Sequence, residues 1–333
     1  MRAMQLTHFA PAEEEPLHLV DLPIPQPGPG QMRIRVQVCG VCHTDLHTVE
    51  GDITPPKMPI VPGHQIVGVV DALGEGVSSP KPGTRVGIPW FYSACGECRY
   101  CRAGMENLCP QAHFTGFHVD GGYAEFMLAD ARFVLPIPDT IDEIQAAPLL
   151  CAGIIGYRSL RKADLQPGER LGLFGFGASA HLAIQVARYW GCEVYVFTRS
   201  AKHREHAREL GAAWVGGAEQ ASPEPLDRAV IFAPAGGIVP LALEKLRPAG
   251  TLAINAIHMT PIPEMPYPLI YGERTLRSVA NATYQDGVEF LQLAAEIPIR
   301  PTVRLYDLAQ ANEALLDVKH SRLNGEAVLR VAG

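Results

Sequence analysis

Residues 171–188 read LGLFGFGASAHLAIQVAR, an apolar strand that runs through G-x-G-x-x-A into an apolar-periodic helix. The small residues have separate tasks. Gly175 permits a tight turn, Gly177 lets the backbone approach a pyrophosphate, and Ala180 allows close helix–strand packing. Phe176 and Ala178 complete the turn. Alone the motif is weak; its surroundings give it weight. RLGLFG (170–175), EVYVFT (193–198), AAWVG (212–216), RAVIFA (228–233), TLAINA (251–256) and TLRSVA (275–280) are short apolar strands separated by helical stretches. Six of them predict an α/β fold with a doubly wound, parallel six-stranded sheet that binds a dinucleotide at the helix start.

About twenty residues beyond the turn, NAD enzymes usually offer Asp or Glu to the adenosine ribose at the end of the second strand. This chain ends that strand with Thr198, Arg199 and Ser200, while Glu193 stands at the strand's other end. A carboxylate would repel a 2′-phosphate, whereas a guanidinium beside two hydroxyls binds it. Lys202 and Arg204 add positive charge. NADP(H) is therefore expected in preference to NAD(H).

Upstream the texture differs. MRIRVQV (32–38) alternates with the period of a half-buried strand, and Gly40 is expected to end it, with a short helix over 42–50. QIVGVVDAL (65–73), RVGIP (85–89) and YAEFMLAD (123–130) read as further strands between Pro/Gly-rich turns, which makes an irregular, mainly β region. From about Gln145 a long helix is expected through IQAAPLLCAGIIGYRSLRKA (144–163), and the tail offers two helical stretches and a closing strand, GEAVLRV (325–331).

With 333 residues, 47% hydrophobic and 19% charged, the chain buries a large core and its length suggests two domains. A net charge of -7 opposes a nucleic-acid or anionic-membrane partner. The N-terminus lacks the apolar segment of a signal peptide, and the longest apolar run, PLLCAGII, is too short to span a bilayer. The expected location is the cytoplasm, where clustered cysteines are metal ligands rather than disulfides.

CGECRYCRAGMENLC places Cys95, Cys98, Cys101 and Cys109 in one loop. Four thiolates close a tetrahedral shell around zinc and leave no position for a substrate, so this reads as a structural site. An iron–sulfur cluster is the chemical rival. A nucleic-acid-binding zinc ribbon is disfavoured, because two separated C-x2-C pairs and a basic aromatic surface are absent from the sequence. Cys42, His64 and Cys151 are scattered, and spacing alone makes them no site. Together, two thiolates and a neutral imidazole would balance the metal's charge and leave one position open.

CGVCHTDLHTVEGD, PIVPGHQIVGVV, the four-cysteine loop, DGGYAEF and PLLCAGIIGYRSL occur in this order before the glycine-rich turn. In these motifs, over almost its full length, the chain resembles the zinc-dependent medium-chain dehydrogenase/reductase superfamily. It is similar above all to its alcohol dehydrogenases, including cinnamyl-alcohol-dehydrogenase-like bacterial members. The resemblance implies a GroES-like, mainly β catalytic domain over 1–152 and 288–333, and a Rossmann domain over 153–287. It also implies two zinc ions per chain, a catalytic one on Cys42, His64 and Cys151 and a structural one on the four-cysteine loop. Asp45 would accept the far N–H of His64, although a carboxylate at a helix start also suits the helix dipole. Thr44 would begin a proton relay from the substrate oxygen through the cofactor ribose to His47, and His43 would face the cofactor pyrophosphate.

Two departures stand out. Gln65 follows His64 where the family usually has Glu, and Glu326 occupies the place of an arginine that many relatives aim at the pyrophosphate. Trp90 and Phe91 either line the substrate pocket or belong to the core. The expected activity is reversible hydride transfer between a primary alcohol or its aldehyde and NADP(H) or NAD(H), by a homo-oligomer, dimer or tetramer. A non-catalytic zinc- and nucleotide-binding redox sensor on the same fold is the alternative.

Overall fold

The computed structural model describes residues 1–297 and 299–331. Its chain divides into two compact units, one of Met1–Cys151, Ala282–Ala295 and the chain from Pro301, the other of Ala152–Asn281 with Glu296–Arg300. The domain ranges expected from sequence include residues 298, 332 and 333, which lie outside the described residues.

In the second unit, strands Trp214–Gly216, Glu193–Phe197, Arg170–Phe174, Leu226–Ile231, Leu246–Ile254 and Thr275–Ser278 lie side by side in that order, all parallel. The chain starts in the middle, builds outward one way, then returns and builds the other way. The reversal lies beside Arg170–Phe174, the strand that feeds the glycine-rich turn, and ligands of such sheets bind at this point. Burial explains the apolar runs: Leu171, Leu173, Val196, Ala229 and Ile231 are fully covered, and Phe174 stacks on Phe197 with ring centroids 4.2 Å apart.

In the first unit, Val303–Asp307, Glu326–Arg330, Gln31–Val41, Gln65–Leu73, Arg85–Ile88 and Leu135–Pro136 form one sheet, and Phe126–Asp130 also pairs with the long strand. Met32, Ile34 and Val36 point into the core, as the alternation predicts; past a register shift between Val36 and Val38, Cys39 and Val41 take over that side. Gly40 does not end this strand. The strand runs on to Val41, because Gly40 is held on both sides, opposite Gln65 and Val328, and needs no side chain in that central position. The hairpin of Arg2–Leu6 with Leu17–Asp21 and the strand Val303–Asp307 carry no strong alternation and were not expected.

The long helix expected over 144–163 is interrupted. It divides into Glu143–Pro148, a π turn over Leu149–Gly153, and Ile154–Lys162. Pro148 has no N–H to give to the helix ladder, and the widened turn that follows carries Cys151. Among the described residues no helix is long and apolar enough to cross a membrane.

Candidate active site

The strand Gln31–Val41 leads directly into Cys42, which caps the helix His43–Glu50. Its Sγ accepts the Thr44 N–H at 3.3 Å, and Asp45, three residues on, accepts the Cys42 N–H at 2.9 Å. This reciprocal cap fixes both side chains at the helix start. Asp45 Oδ1 also accepts the Gly63 N–H at 3.1 Å and meets His64 Nδ1 at 3.0 Å. Gly63 has φ +98°, and a Cβ there would stand 2.4 Å from the Tyr123 ring, so only glycine lets the chain deliver His64 this way. The opposite nitrogen, His64 Nε2, lies 3.2 Å from Cys42 Sγ. Cys151 Sγ completes the group: one donor atom from each of the three residues lies within 4.8 Å of the others.

The contact with Cys151 holds the Cys42 thiol well below its usual range, against burial and with help from His64; the same contact and burial push Cys151 well above. Burial alone would push the His64 imidazole down, but the Asp45 and Cys42 charges outweigh it and hold it well above its usual range. Burial raises the Asp45 carboxyl. Two sulfurs and a ring nitrogen that compete for protons in a dry site are a donor set suited to a divalent, borderline-soft cation.

Thr44 is buried on the first turn beside Cys42, and His43 is exposed beside it. His47 lies one turn along, its ring centroid 6.5 Å from that of His43 and its Nδ1 2.8 Å from Asp52 Oδ2. Asp52 was not anticipated, and nothing in its spacing singles it out. Trp90 and Phe91 share Phe114 as a neighbour but differ in reach: Trp90 sets its ring edge-on to His64 at 5.0 Å and stacks on Phe114, whereas Phe91 meets Phe114 edge-on and packs in a small cluster with Ala94, Cys109 and Phe133. Phe117, 5.8 Å from Trp90, extends the aromatic wall beside His64.

In the four-cysteine loop, the sulfurs of Cys95 and Cys101 are 3.8 Å apart, those of Cys98 and Cys101 3.5 Å, and those of Cys109 and Cys95 3.5 Å. These separations are too long for disulfides. They match the edge of a tetrahedron with metal–sulfur bonds of about 2.3 Å. The N–H groups of Cys98, Cys101 and Gln111 turn toward sulfurs, as expected of thiolate acceptors. Glu106 from the same loop accepts the Tyr284 N–H at 2.7 Å.

In the second unit, Gly175 turns with φ +91°, and a Cβ there would press to 2.8 Å from the Ala233 nitrogen. Gly177 caps the helix Ala178–Tyr189 and is exposed, with open space where a Cβ would stand. Phe176 and Ala180 are buried. Thr198 is buried, Arg199 exposed, and Ser200 caps the helix Ala201–Glu209 by accepting the His203 N–H at 3.2 Å. Arg204 Nε donates to the Thr198 carbonyl at 2.8 Å, which brings a second guanidinium to the strand end.

Residues 28–139 match the family described as alcohol dehydrogenase GroES-like domain, and residues 180–296 the family described as zinc-binding dehydrogenase. The chain is 45% identical to a probable alcohol dehydrogenase of Mycobacterium tuberculosis over 99% of its own length and 97% of that protein's. It is 34% identical to an alcohol dehydrogenase of Geobacillus stearothermophilus, covering 99% of each. Among solved structures it is similar to a cinnamyl alcohol dehydrogenase of Sorghum bicolor, with a TM-score of 0.90, 28% identity, and coverage of 100% of this chain and 98% of that one.

Proposed function

The chain belongs to the zinc-dependent medium-chain dehydrogenase/reductase superfamily, among its alcohol dehydrogenases, and from that premise we propose which residues do the work and on what. It is a zinc- and nicotinamide-dependent oxidoreductase with a GroES-like and a Rossmann fold. The proposed reaction is reversible hydride transfer between a primary alcohol and its aldehyde. The convergence of Cys42, His64 and Cys151 on one point, with Asp45 on the far side of the imidazole, carries this reading.

In this reading Cys42, His64 and Cys151 hold the catalytic zinc, and Cys95, Cys98, Cys101 and Cys109 a structural one. When bound, zinc supplies Lewis acidity toward an alcohol or carbonyl oxygen, and the nicotinamide supplies or takes the hydride. The rest falls to side chains. Asp45 holds the His64 ring so that Nε2 faces the metal position. The Thr44 hydroxyl would orient the substrate oxygen and begin the movement of its proton, and His47, its Nδ1 2.8 Å from Asp52 Oδ2, would be the imidazole that hands the proton to solvent. Trp90, with Phe114 and Phe117, presents an apolar wall that suits an aliphatic or aromatic substrate and excludes water.

Gly175, Phe176, Gly177, Ala178 and Ala180 form the pyrophosphate turn, and His43, at the start of the helix after Cys42, is read as a separate contact to the coenzyme. Thr198, Arg199 and Ser200 receive the adenosine ribose, and the positive charge there favours NADP(H). Residues 1–152 and 288–333 are read as the catalytic domain and 153–287 as the coenzyme domain, in a cytoplasmic homo-oligomer. The test is a metal count together with a panel of alcohols and aldehydes assayed with both coenzymes. Two zinc ions per chain and coenzyme-dependent turnover support the reading; one zinc without turnover supports a non-catalytic sensor.

A further inference from the structure

Gln65 and Glu326 flank the central strand Gln31–Val41 from opposite sides, Gln65 opposite Gly40 and Glu326 just beyond the Ala327–Val41 pair. Side chains two residues apart on a strand share a face, so Gln65, Gly40, Cys42 and Glu326 come to one face of the sheet. Gly40 is what gives the Gln65 side chain room on this face. A Cβ at that position would stand 2.6 Å from Gln65 Oε1 and 2.9 Å from its Cδ, so the amide lies across the glycine.

Both side chains are buried, Gln65 at 0% and Glu326 at 2% exposure. Gln65 Oε1, Gln65 Nε2 and Glu326 Oε1 all lack hydrogen-bond partners. Native proteins rarely leave three such atoms together, because each loses its hydration and regains nothing. Burial and the charge of Cys42 push the Glu326 carboxyl well above the usual carboxylate range, with the Gln65 amide and His64 pulling it partway back. Glu326 has no ion-pair partner among the described residues. The groups acting on it are Cys42, Gln65, His64 and Asp45, and it acts in turn on Cys151. Gln65 and Glu326 thus both present unpartnered polar atoms on the sheet face that they share with Cys42.

We propose that Glu326 and Gln65 form a polar pair across Gly40 whose carboxylate is compensated by the zinc at Cys42, His64 and Cys151, which makes Glu326 a positioning residue for metal retention. The proposal rests on the zinc assignment given above. It also accounts for both departures at once: the carboxylate is absent after His64 and present on the neighbouring strand, with an amide in the vacated place. Glu326 therefore serves the metal site and leaves the pyrophosphate to other residues.

The experiment follows zinc release from the holoenzyme into a chromophoric chelator, with the visible spectrum of the cobalt-substituted protein as a second readout. Glu326→Gln is expected to release the catalytic zinc about ten-fold faster, with the four-cysteine zinc unaffected and the cobalt band shifted. Exchanging the pair, Gln65→Glu with Glu326→Gln, restores the carboxylate and the amide and is expected to return release to within about three-fold of wild type. Wild-type release from Glu326→Gln, or ten-fold faster release from the exchanged protein, overturns the proposal; the second measurement stands alone if the single variant fails to fold. Cys42→Ala separates the two layers. If it retains both zinc ions, the zinc assignment fails. If it loses one while Glu326→Gln behaves as wild type, only the pairing fails.

Discussion

Asp45 Oδ1 lies 3.0 Å from His64 Nδ1, and the same carboxylate accepts the backbone N–H groups of Cys42 and Gly63. One buried side chain thus ties together the two segments that supply Cys42 and His64. It fixes the ring orientation and the start of the helix that follows Cys42. Asp45→Asn keeps the shape, but its amide nitrogen cannot accept, so the contacts of one carboxylate oxygen are lost, those of the other weaken, and the charge beside the imidazole disappears. Zinc affinity at this site is expected to fall about 10- to 100-fold, read by chelator competition, with a lower melting temperature from the impaired cap. Unchanged metal affinity would show that the carboxylate serves the helix alone.

The four-cysteine loop makes a separable prediction. Cys98→Ser should reduce the zinc content from two ions to one and leave zinc at Cys42 in place. The hydrogen bond from Tyr284 to Glu106 gives the loss a local signature. Amide hydrogen exchange should rise at residues 283–286, where the loop holds the start of the helix Tyr284–Glu296. Exchange confined to the loop itself would mean that the helix start is secured by the Thr283–Asp286 contacts without it.

Where the sequence was legible, short-range rules decided the outcome. The turn after Phe174 needs a residue at positive φ, and Gly175 announces it; the four sulfurs lie within fifteen residues, so their spacing carries their geometry. Cys151 was legible only through resemblance, because the π turn that presents it departs from the helical pattern of 144–163. That Glu326 and Gln65 flank one central strand was not legible at all. It depends on the order of three strands far apart in sequence, and no local pattern encodes which strand lies between two others. Trp90 and Phe91 illustrate the same limit: both rings meet Phe114, but only Trp90, just before the strand Phe91–Ser93, reaches His64, a residue far away in sequence.

The proposed preference for NADP(H) rests on charge at the end of the strand Glu193–Phe197. Arg199 is exposed there, and the Ser200 hydroxyl oxygen is engaged by the His203 N–H, so the arginine is the freer of the two to meet a 2′-phosphate. Arg199→Asp should cut kcat/KM for NADP(H) by about 100-fold and raise the relative use of NAD(H), chiefly through KM. Comparing the two coenzymes with one alcohol checks this, and a wild-type preference for NAD(H) would reverse the assignment.

His181 sets an acid limit on stability. It sits one residue past Ala180 in the helix Ala178–Tyr189, 1% exposed, with neither ring nitrogen hydrogen-bonded and His206 as its ring neighbour at 6.0 Å. Burial, with a smaller contribution from His206, lowers its pKa to about 4. The unfolded chain takes up this proton near pH 6.5, whereas the folded one does so only near pH 4. Over that window the unfolded state binds more protons, so stability falls as pH falls, by about 3 kcal/mol at most from this one group. Above pH 6.5 both states are neutral and His181 contributes no pH dependence. His181→Leu should therefore flatten the decline in melting temperature between pH 6.5 and 4 while leaving the curve above pH 7 parallel to wild type. A decline as steep in the variant would assign the acid sensitivity to other groups, with the buried Asp45–His64 pair the first to test.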